Sequence, residues 1–395
     1  MTARLKQDSI IILCSGLNGL GAIRSAHKAG LSIVVIFTSK NDLGNLSRLP
    51  MCRYFFDPNQ AANELLSLLV KLHASYGAAS IIACSDKFAE LLSQIQTKIK
   101  RYHYVIAPSA ITVSVLNDKK KECRAVADRG VLIPHTYYEL DTELQCYPVL
   151  IKPRTYEDYA CLGAKNLLIN SRSSFDQFKA DFEKVLDRFI GQEVIEGEDS
   201  QLWVCNVTFD LNHELVAFFS FSRLGTMPSH FGVTSSAVSI YNEALLIACK
   251  EIGKAFSFVG PAMIEFKRNP LDGQFYYIET NPRLGMCNWF DTNCGVNNVL
   301  ATHLVAKGKC VARSQQRDGV YYINWLGDFI ARLEDREGFL SILSQYFKFL
   351  KKRKVSATFE WNDPMPAIFY WFDTVKSLAP RVVRRIFRIR RDNSD

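Results

Sequence analysis

The chain has 395 residues, of which 48% are hydrophobic, and its 48 Lys and Arg residues against 40 Asp and Glu residues give a formal net charge of +8. Seven of the basic residues lie between Thr374 and Arg391 with no acidic residue among them, so the rest of the chain is close to neutral. A basic surface spread over the fold, as a nucleic-acid-binding protein needs, therefore does not account for the charge.

Other classes of protein are excluded by the apolar segments and the cysteines. No uninterrupted apolar stretch reaches the roughly 18 residues of a membrane-spanning helix. The start from Met1 to Ser9 is polar and lacks the apolar core of a secretory signal. The 11 cysteines contain no Cys-x-x-Cys pair. We therefore expect a cytoplasmic protein with reduced thiols and without a zinc site.

The first segment predicts a strand, a glycine turn, a helix and a second strand. Apolar Ile10–Leu13 is followed by Gly16, Gly19 and Gly21, then by a helical stretch and apolar Leu31–Phe37. The glycines lack the Gly-x-Gly-x-x-Gly spacing of a dinucleotide site, and no acidic residue ends the second strand. We therefore expect a Rossmann-like unit whose glycines make a tight turn, and strands alternate with helices to about residue 107.

From about residue 109 the pattern changes to helices and antiparallel hairpins. Asp118 precedes a helix that starts with a lysine run, and Lys152 lies near the end of an apolar strand. A polar loop over 154–165 follows, then an amphipathic helix over 175–189. A short strand over 192–197 leads into an acidic turn. The lysine run leaves open which lysine points inward, and a solvated helix start is the alternative.

Residues 221–236 are predicted to connect two strands before a helix over 242–256. Arg223, His230 and several small or hydroxyl side chains suit the binding of an anionic carboxylate, with Arg223 as the first choice. A surface crossover loop with a structural arginine is the alternative.

Residues 260–283 predict an antiparallel hairpin around the turn sequence Asn-Pro-Leu-Asp-Gly. The alternation of side chains in strands places one set of residues on each shared face, namely Met263, Glu265 and Lys267 on the first strand and Tyr277, Glu279 and Asn281 on the second. Two carboxylates and an amide oxygen then converge, which suits Mg²⁺ shared with nucleotide phosphates. Exposed acids matched to Lys267 and Arg283 are the alternative.

This order of parts resembles the ATP-grasp superfamily over roughly residues 5–310, and Glu279-Thr-Asn-Pro-Arg283 is the most specific motif. The resemblance implies that Lys119 and Lys152 bind the phosphates of ATP. It also implies roles for the following residues: Glu193 and Ile195 at adenine, Glu198 or Asp199 at the ribose, Glu265, Glu279 and Asn281 at the metal, and Arg283 at the transferred phosphate. The loop over 154–165 departs from the family in having a single glycine, so we expect Thr155, Lys165 or backbone amides to close over the phosphates.

Within the superfamily, the chain resembles carboxylate–amine ligases related to D-aspartate ligase and to the ATP-binding domain of carbamoyl-phosphate synthase. The resemblance implies phosphoryl transfer from ATP to a carboxylate with Mg²⁺ or Mn²⁺, followed by attack of an amine on the acyl phosphate to give an amide, ADP and phosphate. Arg223 and His230 are then expected at the substrate. A nucleotide-binding regulatory or scaffold protein with this fold and no turnover is the alternative.

The predicted fold class is α/β followed by α+β. We expect a Rossmann-like pre-ATP-grasp domain over 1–110, a two-lobed ATP-grasp domain over 111–310 with lobes of about 111–190 and 191–310, and a mostly helical, basic C-terminal extension over 311–395. Residues 321–350 are expected to be helical. A helix over 381–391 places apolar residues on one side and arginines on the other.

That terminal pattern fits a helix lying on an anionic membrane surface, and a helix docked on its own domain is the alternative. The expected partners are small-molecule or lipid-linked carboxylate and amine substrates, among them a membrane-associated glycan or its precursor. A homodimer is also possible, and no nucleic acid is expected as a partner. The expected location is the cytoplasm, at the inner face of the membrane.

Overall fold

The computed structural model describes residues 8–14, 16–141, 144–228, 232–335 and 337–376. In this part of the chain the strands form three sheets, so the expected mixed α/β fold is confirmed. The predicted basic helix over 381–391 lies outside the described residues, as does His230. Among the helices that are described, none combines the length and the hydropathy needed to span a bilayer.

The first sheet is parallel and is made of five strands, β1 (Ser9–Leu13), β2 (Ser32–Phe37), β3 (Cys52–Phe55), β4 (Ser80–Ala83) and β5 (Tyr104–Val105), in the order β3-β2-β1-β4-β5. The helices between them are α1 (Gly16–Lys28), α2 (Leu43–Leu46), α3 (Ala62–Tyr76) and α4 (Asp86–Ile99). Side chains of β1 enter two different cores, one on each face of the sheet, so the strand is apolar throughout. The predicted alternation of strands and helices is confirmed.

The expected glycine turn is confirmed at Gly16, whose φ of +51° is left-handed, and is wrong at Gly19 and Gly21, which lie inside α1. A Cβ atom on Gly19 would lie 2.0 Å from Cys14 Sγ, and one on Gly21 would lie 2.6 Å from Asn288 Oδ1. The missing side chains therefore allow α1 to pack closely on its neighbours. Glycines in a helix usually cost stability, which is why the sequence pattern favoured a turn.

Helices α5 (Ala110–Leu116) and α6 (Lys119–Ala127) lead into a four-stranded sheet. Its strands are β6 (Thr136–Tyr137), β7 (Val149–Pro153), β8 (Leu167–Ile169) and β9 (Phe189–Glu193), in the order β6-β9-β7-β8. Helices α7 (Tyr159–Leu162) and α8 (Arg172–Phe182) accompany it, and α7 interrupts the predicted loop over 154–165. The predicted helix over 175–189 continues only as a 3-10 turn after Phe182, since Val185 leaves helical geometry, and the predicted strand over 192–197 ends at Glu193.

The third and largest sheet is mostly antiparallel. Its strands are β10 (Leu202–Phe209), β11 (Leu215–Met227), β12 (Val233–Ser239), β13 (Gly260–Arg268), β14 (Phe275–Asn281), β15 (Tyr321–Ile323) and β16 (Lys354–Ser356), in the order β14-β13-β10-β11-β12-β15-β16. Its helices are α9 (Glu243–Ala255), α10 (Asn288–Asn293), α11 (Asn298–Ala306), α12 (Trp325–Glu334), α13 (Phe339–Leu350) and α14, described over 365–376. Separate apolar cores lie on its two faces.

The expectation of helix throughout 321–350 is wrong at its start, because Tyr321–Ile323 forms a strand. That strand pairs with β12, and β16 from further along the chain pairs with it in turn. The segment expected to be an appended helical extension therefore completes the largest sheet. The short run Val-Tyr-Tyr-Ile is too brief to distinguish a strand from a helix by periodicity.

A buried ion pair joins the C-terminal part of the chain to the first sheet. Arg24 Nε in α1 lies 3.5 Å from Asp363 Oδ2, and both side chains are 1% exposed. The Asp363 carboxylate also accepts hydrogen bonds from Ser47 Oγ at 2.9 Å and from the backbone N–H of Arg48 at 3.0 Å. Residues more than 300 positions apart are thus held together around one carboxylate.

We predict that Asp363→Asn lowers the free energy of unfolding by about 3 to 5 kcal/mol, because Arg24 then remains charged and buried without its anion. Urea denaturation followed by fluorescence measures this. The exposed Asp373→Asn is the matched control, and the double variant Arg24→Met/Asp363→Leu should recover much of the loss. Equal stability of Asp363→Asn and the native chain would contradict the prediction.

Candidate active site

The predicted hairpin is confirmed as β13 and β14, and it places two carboxylates side by side. Glu265 is the direct cross-strand partner of Glu279, and Met263 is the partner of Asn281. Side chains of directly opposed residues lie on the same face of a sheet at close range. Asn281 Nδ2 also donates to Glu279 Oε1 at 3.3 Å. Like charges placed in this way repel each other, so the surroundings must supply cations.

The predicted position of Tyr277 on this face is wrong, because the register shifts by one residue after Glu265. The shift pairs Tyr277 with Phe266 and turns its ring into the core on the other face, where the residue is 1% exposed. Its hydroxyl donates to Glu122 Oε1 at 2.5 Å. A β-bulge of this kind breaks the alternation on which the prediction relied.

Lys119 supplies the cation for Glu279. Its Nζ lies 3.4 Å from Glu279 Oε2 and 3.9 Å from Glu122 Oε2. Burial lowers the pKa of Lys119, but the two glutamates overcome this and raise it. Burial likewise raises the pKa of Glu279, and the lysines, Lys119 foremost and then Lys165, hold it well below its usual range. Both groups are therefore ionised at neutral pH.

The ambiguity within the lysine run is settled by the start of α6. Asp118 caps the helix by accepting hydrogen bonds from the backbone N–H groups of Lys120 and Lys121. Arg154 holds the same carboxylate with two hydrogen bonds of 2.9 and 2.7 Å. This fixed start directs Lys119 toward the hairpin, whereas Lys120 contacts Glu139 and Lys121 is mostly exposed.

Lys152 is buried at the end of β7. Its Nζ donates to Gln192 Oε1 on the adjacent strand β9 at 2.6 Å. The Gln192 amide is held in turn by donation to Thr136 Oγ1 at 3.0 Å. Burial, together with the charge of nearby Lys119, lowers the pKa of Lys152 to about 8. The lysine is therefore placed to gain stability from an incoming anion.

Arg223 supplies the cation for Glu265. It lies within β11 rather than in a connecting loop, and residues 233–236 lie in β12, so the predicted loop over 221–236 is wrong at both ends. Its Nη2 lies 2.8 Å from Glu265 Oε1, and the residue is only 6% exposed. Its Nε is buried and has no hydrogen-bond partner in the described residues. The guanidinium thus retains an unused donor beside the carboxylate pair.

Arg283 connects the end of the hairpin to the first sheet. Its Nε lies 2.9 Å from Asp86 Oδ1, at the start of α4, and its Nη2 donates to Asn281 Oδ1 at 3.1 Å. The side chain of Asp86 is 59% exposed, so this contact faces solvent on one side. The arginine therefore sits where the first sheet, the hairpin and solvent meet.

The residues expected at adenine and ribose follow β9. The backbone N–H of Glu193 donates to His135 O at 2.9 Å, and Ile195 is buried. Glu198 is exposed, whereas Asp199 accepts a hydrogen bond from the Thr226 hydroxyl of β11. In the neighbouring loop, Thr155 Oγ1 donates to Asp158 Oδ2 at 2.8 Å.

Comparison with known proteins finds similarity in sequence and in fold. In sequence, the chain is 24% identical over 317 residues to D-aspartate ligase of Enterococcus faecium (strain Aus0004), covering 73% of this chain and 74% of that protein. In fold, it is similar to the L-amino acid ligase of Bacillus licheniformis, with a TM-score of 0.56, 12% identity and coverage of 79% and 75% of the two chains. No protein-family model matches.

A second structural similarity is to the biotin carboxylase domain of 2-oxoglutarate carboxylase from Hydrogenobacter thermophilus, in a complex with MgADP, ADP and bicarbonate. The TM-score is 0.59 at 15% identity, covering 80% of this chain and 73% of that chain. The chain therefore shares its fold with these enzymes over most of its length. The resemblance stated from the motifs is thereby confirmed, and the sequence relative is a ligase, as expected.

Four residues of this site were not assigned a role in it from the sequence: Asp86, Asp118, Glu122 and Gln192. Each supports a predicted residue, since Asp86 contacts Arg283, Asp118 starts the helix of Lys119, Glu122 contacts Lys119 and Gln192 contacts Lys152. The local signals among them are the position of Asp118 before the helix and the spacing of Glu122 three residues after Lys119. The other contacts join distant segments.

The donor set fits the Mg²⁺ ion that accompanies ATP. The described residues contain no group of three or more His, Cys, Asp or Glu side chains arranged to hold a metal ion. The hairpin instead offers two carboxylates and one amide oxygen, and Mg²⁺ commonly takes one or two carboxylates and completes its shell with phosphates and water. The ion pair of Glu265 with Arg223 shows that this carboxylate is ionised beside a cationic partner, as a metal ligand must be.

We predict that the affinity for ADP falls above pH 8. Lys152 loses its proton near pH 8 in the free protein. Bound phosphate raises that pKa, so binding at higher pH must take up a proton and weakens by up to about tenfold per pH unit. Calorimetry from about pH 7.5 to about pH 9.5 measures this. Lys152→Gln should bind ADP more weakly, and its affinity should no longer fall with rising pH. The control Lys121→Gln should keep the pH dependence of the native chain. An unchanged pH dependence in Lys152→Gln would contradict the assignment.

Proposed function

We propose that the chain is an ATP- and Mg²⁺-dependent carboxylate–amine ligase, with Mn²⁺ able to replace Mg²⁺. The observation that carries this proposal is the pair of facing carboxylates, Glu265 and Glu279. Arg223 balances the charge of Glu265 and Lys119 balances that of Glu279, and the buried Lys152 lies nearby. Phosphoryl transfer needs positive charge and fixed positions more than covalent chemistry from the protein. The sequence relation to a D-aspartate ligase supports the ligase reaction.

Nucleotide binding is proposed between the second and third sheets, where the charges of Lys119, Lys152 and Glu279 interact. Lys119 and Lys152 bind the phosphates, with Lys152 exchanging its contact to Gln192 for a phosphate oxygen. Backbone groups around Glu193 and Ile195 hold adenine where β9 ends, and Glu198 or Asp199 binds the ribose hydroxyls. Buried lysines suit this role because a phosphate relieves the cost of their burial.

For the metal, Glu265, Glu279 and Asn281 are the proposed ligands. The ion would offset charge on the transferring phosphoryl group and hold it in line. Because Arg223 occupies Glu265 in the free site, metal binding leaves the guanidinium available for another anion. We propose that this anion is the substrate carboxylate, which Arg223 can hold by charge-assisted hydrogen bonds.

The proposed reaction has two steps. A carboxylate oxygen of the substrate attacks the γ-phosphorus of ATP, the bond to the β-phosphate oxygen breaks and ADP leaves. The amine then attacks the acyl carbon, phosphate leaves with the bonding electrons, and loss of a proton from nitrogen gives the amide. Lys152 and Arg283 contribute by stabilising the charge on the phosphoryl group. No nucleophile of the protein takes part.

The proposed substrates are a small-molecule or lipid-linked carboxylate and an amine. The basic sequence that begins at Lys376 supports a cytoplasmic protein at the inner face of the membrane. A lipid-linked substrate at that location would be a glycan or its precursor that carries the carboxylate. An amino-acid substrate is supported by the two ligases to which the chain is similar.

We predict that purified protein releases ADP from ATP over many turnovers only when a suitable carboxylate and amine are both present, because the amine must remove the acyl phosphate formed in the first step. Screening panels of both, with ADP release as the readout, identifies the pair. Glu279→Gln should lower the rate by about 100-fold or more, because it removes a carboxylate ligand of the metal ion that offsets the charge on the transferring group. Glu64→Gln, on the exposed face of α3, is the matched control.

A nucleotide-binding protein without turnover is the competing outcome. ATP binding with no amine-dependent ADP release across a broad panel would support it. Equal activity of Glu279→Gln and Glu64→Gln would instead show that the hairpin carboxylates are not part of the site.

We predict that Arg223→Met raises the KM for the carboxylate by about tenfold or more, since one charge-assisted contact is lost. ADP affinity in the presence of Mg²⁺ should stay within about threefold, because Glu265 remains available to the metal. Steady-state kinetics and calorimetry measure the two quantities, and Arg223→Lys should be intermediate. An equal loss of both would show that Arg223 serves the structure of the hairpin and not the substrate.

A further inference from the structure

Helix α14 presents its apolar side to solvent. Met365, Ile368, Phe372 and Val375 follow the spacing of one helix face and are all exposed, and Trp371 beside them is 43% exposed. The opposite side of the helix is the one that faces the protein, since Ala367 and Thr374 are buried. Tyr370 OH accepts a hydrogen bond from Asn324 Nδ2 at 2.9 Å. The helix is therefore docked with its small residues inward and its large apolar residues outward.

The exposed surface extends beyond this helix. Trp361, four residues before α14, is 84% exposed, and its ring packs edge-on against Phe359 with centroids 5.0 Å apart. We name the outward residues Trp361, Met365, Ile368, Trp371, Phe372 and Val375 the aromatic face. Soluble monomers rarely expose a contiguous apolar patch of this kind without a function in binding.

Helix α13 repeats this orientation nearby. Tyr346 packs against Trp325 with ring centroids 5.2 Å apart and donates to Asp328 Oδ2 at 3.0 Å. Leu340 and Phe347 point outward and are 80% and 65% exposed. Helix α13 is anchored at Trp325 and α14 at the preceding residue Asn324, so both helices dock at the start of α12.

Basic residues adjoin this region. Lys351, Lys352, Arg353 and Lys354 directly follow α13 and are all exposed. No acidic residue occurs between Gly338 and Phe359. Apolar side chains beside a cluster of cations match the two attractions of an anionic bilayer, which are insertion into the acyl boundary and contact with lipid phosphates. A water-exposed protein partner would need to supply both an apolar groove and an acidic rim.

We infer that the aromatic face and residues 351–354 form a docking surface for an anionic membrane. The surface is distinct from the basic segment beyond Lys376, and it does not depend on the proposed reaction. It positions the protein through rings that enter the interfacial layer while the cations contact headgroups.

The test uses the full chain with vesicles of zwitterionic lipid alone or with about 30% anionic lipid. The native chain should sediment with the anionic vesicles, and Trp371→Ser/Phe372→Ser should reduce the partition coefficient by about tenfold or more, because insertion is lost. Ile111→Ser/Leu211→Ser changes two exposed apolar residues elsewhere and should bind normally. Lys351→Gln/Lys352→Gln should weaken binding to anionic vesicles alone.

Quenching of tryptophan fluorescence by brominated lipid provides a second readout that does not depend on a destabilising change. It should be strong in the native chain and mostly lost in Trp361→Phe/Trp371→Phe, since the quencher acts at short range. The inference is overturned if Trp371→Ser/Phe372→Ser binds the vesicles as the native chain does and Trp361→Phe/Trp371→Phe is quenched as strongly as the native chain. Loss of binding only in Arg384→Gln/Arg385→Gln/Arg388→Gln also overturns it, as does a dimer in light scattering that Trp371→Ser/Phe372→Ser dissociates.

Discussion

Glu265 and Glu279 face each other across adjacent strands, and the surrounding structure must neutralise two charges that antiparallel pairing brings together. Lys119 reaches one carboxylate from α6, and Arg223 reaches the other from β11. These cations come from segments far apart in the chain, so folding of the hairpin, the helix and the largest sheet is coupled through them. The same balance makes the site responsive to ligands, because each ion pair can be exchanged.

The two ion pairs differ in what they leave available. Lys119 contacts Glu122 as well as Glu279, so it stays balanced when one carboxylate binds a metal. Arg223 has one described carboxylate partner and an unpaired buried Nε, and thus depends on another anion once Glu265 is engaged. This asymmetry links the proposed metal ligand to the proposed substrate contact. A carboxylate substrate then restores the charge balance that the metal has changed.

The relative placement of the sheets depends on buried polar contacts between distant segments. Asn18 Nδ2 donates to Cys84 O at 2.8 Å and to Leu284 O at 2.6 Å, which joins α1, the end of β4 and the residue after Arg283. Asn288 Nδ2 donates to Asn18 Oδ1 at 2.7 Å. These contacts hold the hairpin end against the first sheet, where directional hydrogen bonds fix one arrangement. The pair of Arg24 and Asp363 holds the C-terminal part of the chain to the same sheet.

Much of the fold followed from local patterns in the sequence. The alternation in the first sheet, the hairpin turn over 269–273 and the lysine near the end of β7 were all predicted, because each is set by residues within one or two elements. The roles of the site residues at ATP, metal and substrate remain predictions. The alternation failed at Tyr277, because a bulge adds a residue that no sequence pattern announces.

The sequence by itself determined the charge asymmetry, the order of the elements and the motif Glu279-Thr-Asn-Pro-Arg283. Only the tertiary structure decided that Lys119 rather than Lys120 reaches the hairpin, that Arg223 pairs with Glu265 and that the apolar side of α14 faces outward. The physical reason is that periodicity shows that a helix or strand has two faces, whereas the neighbours supplied by distant segments decide which face is buried.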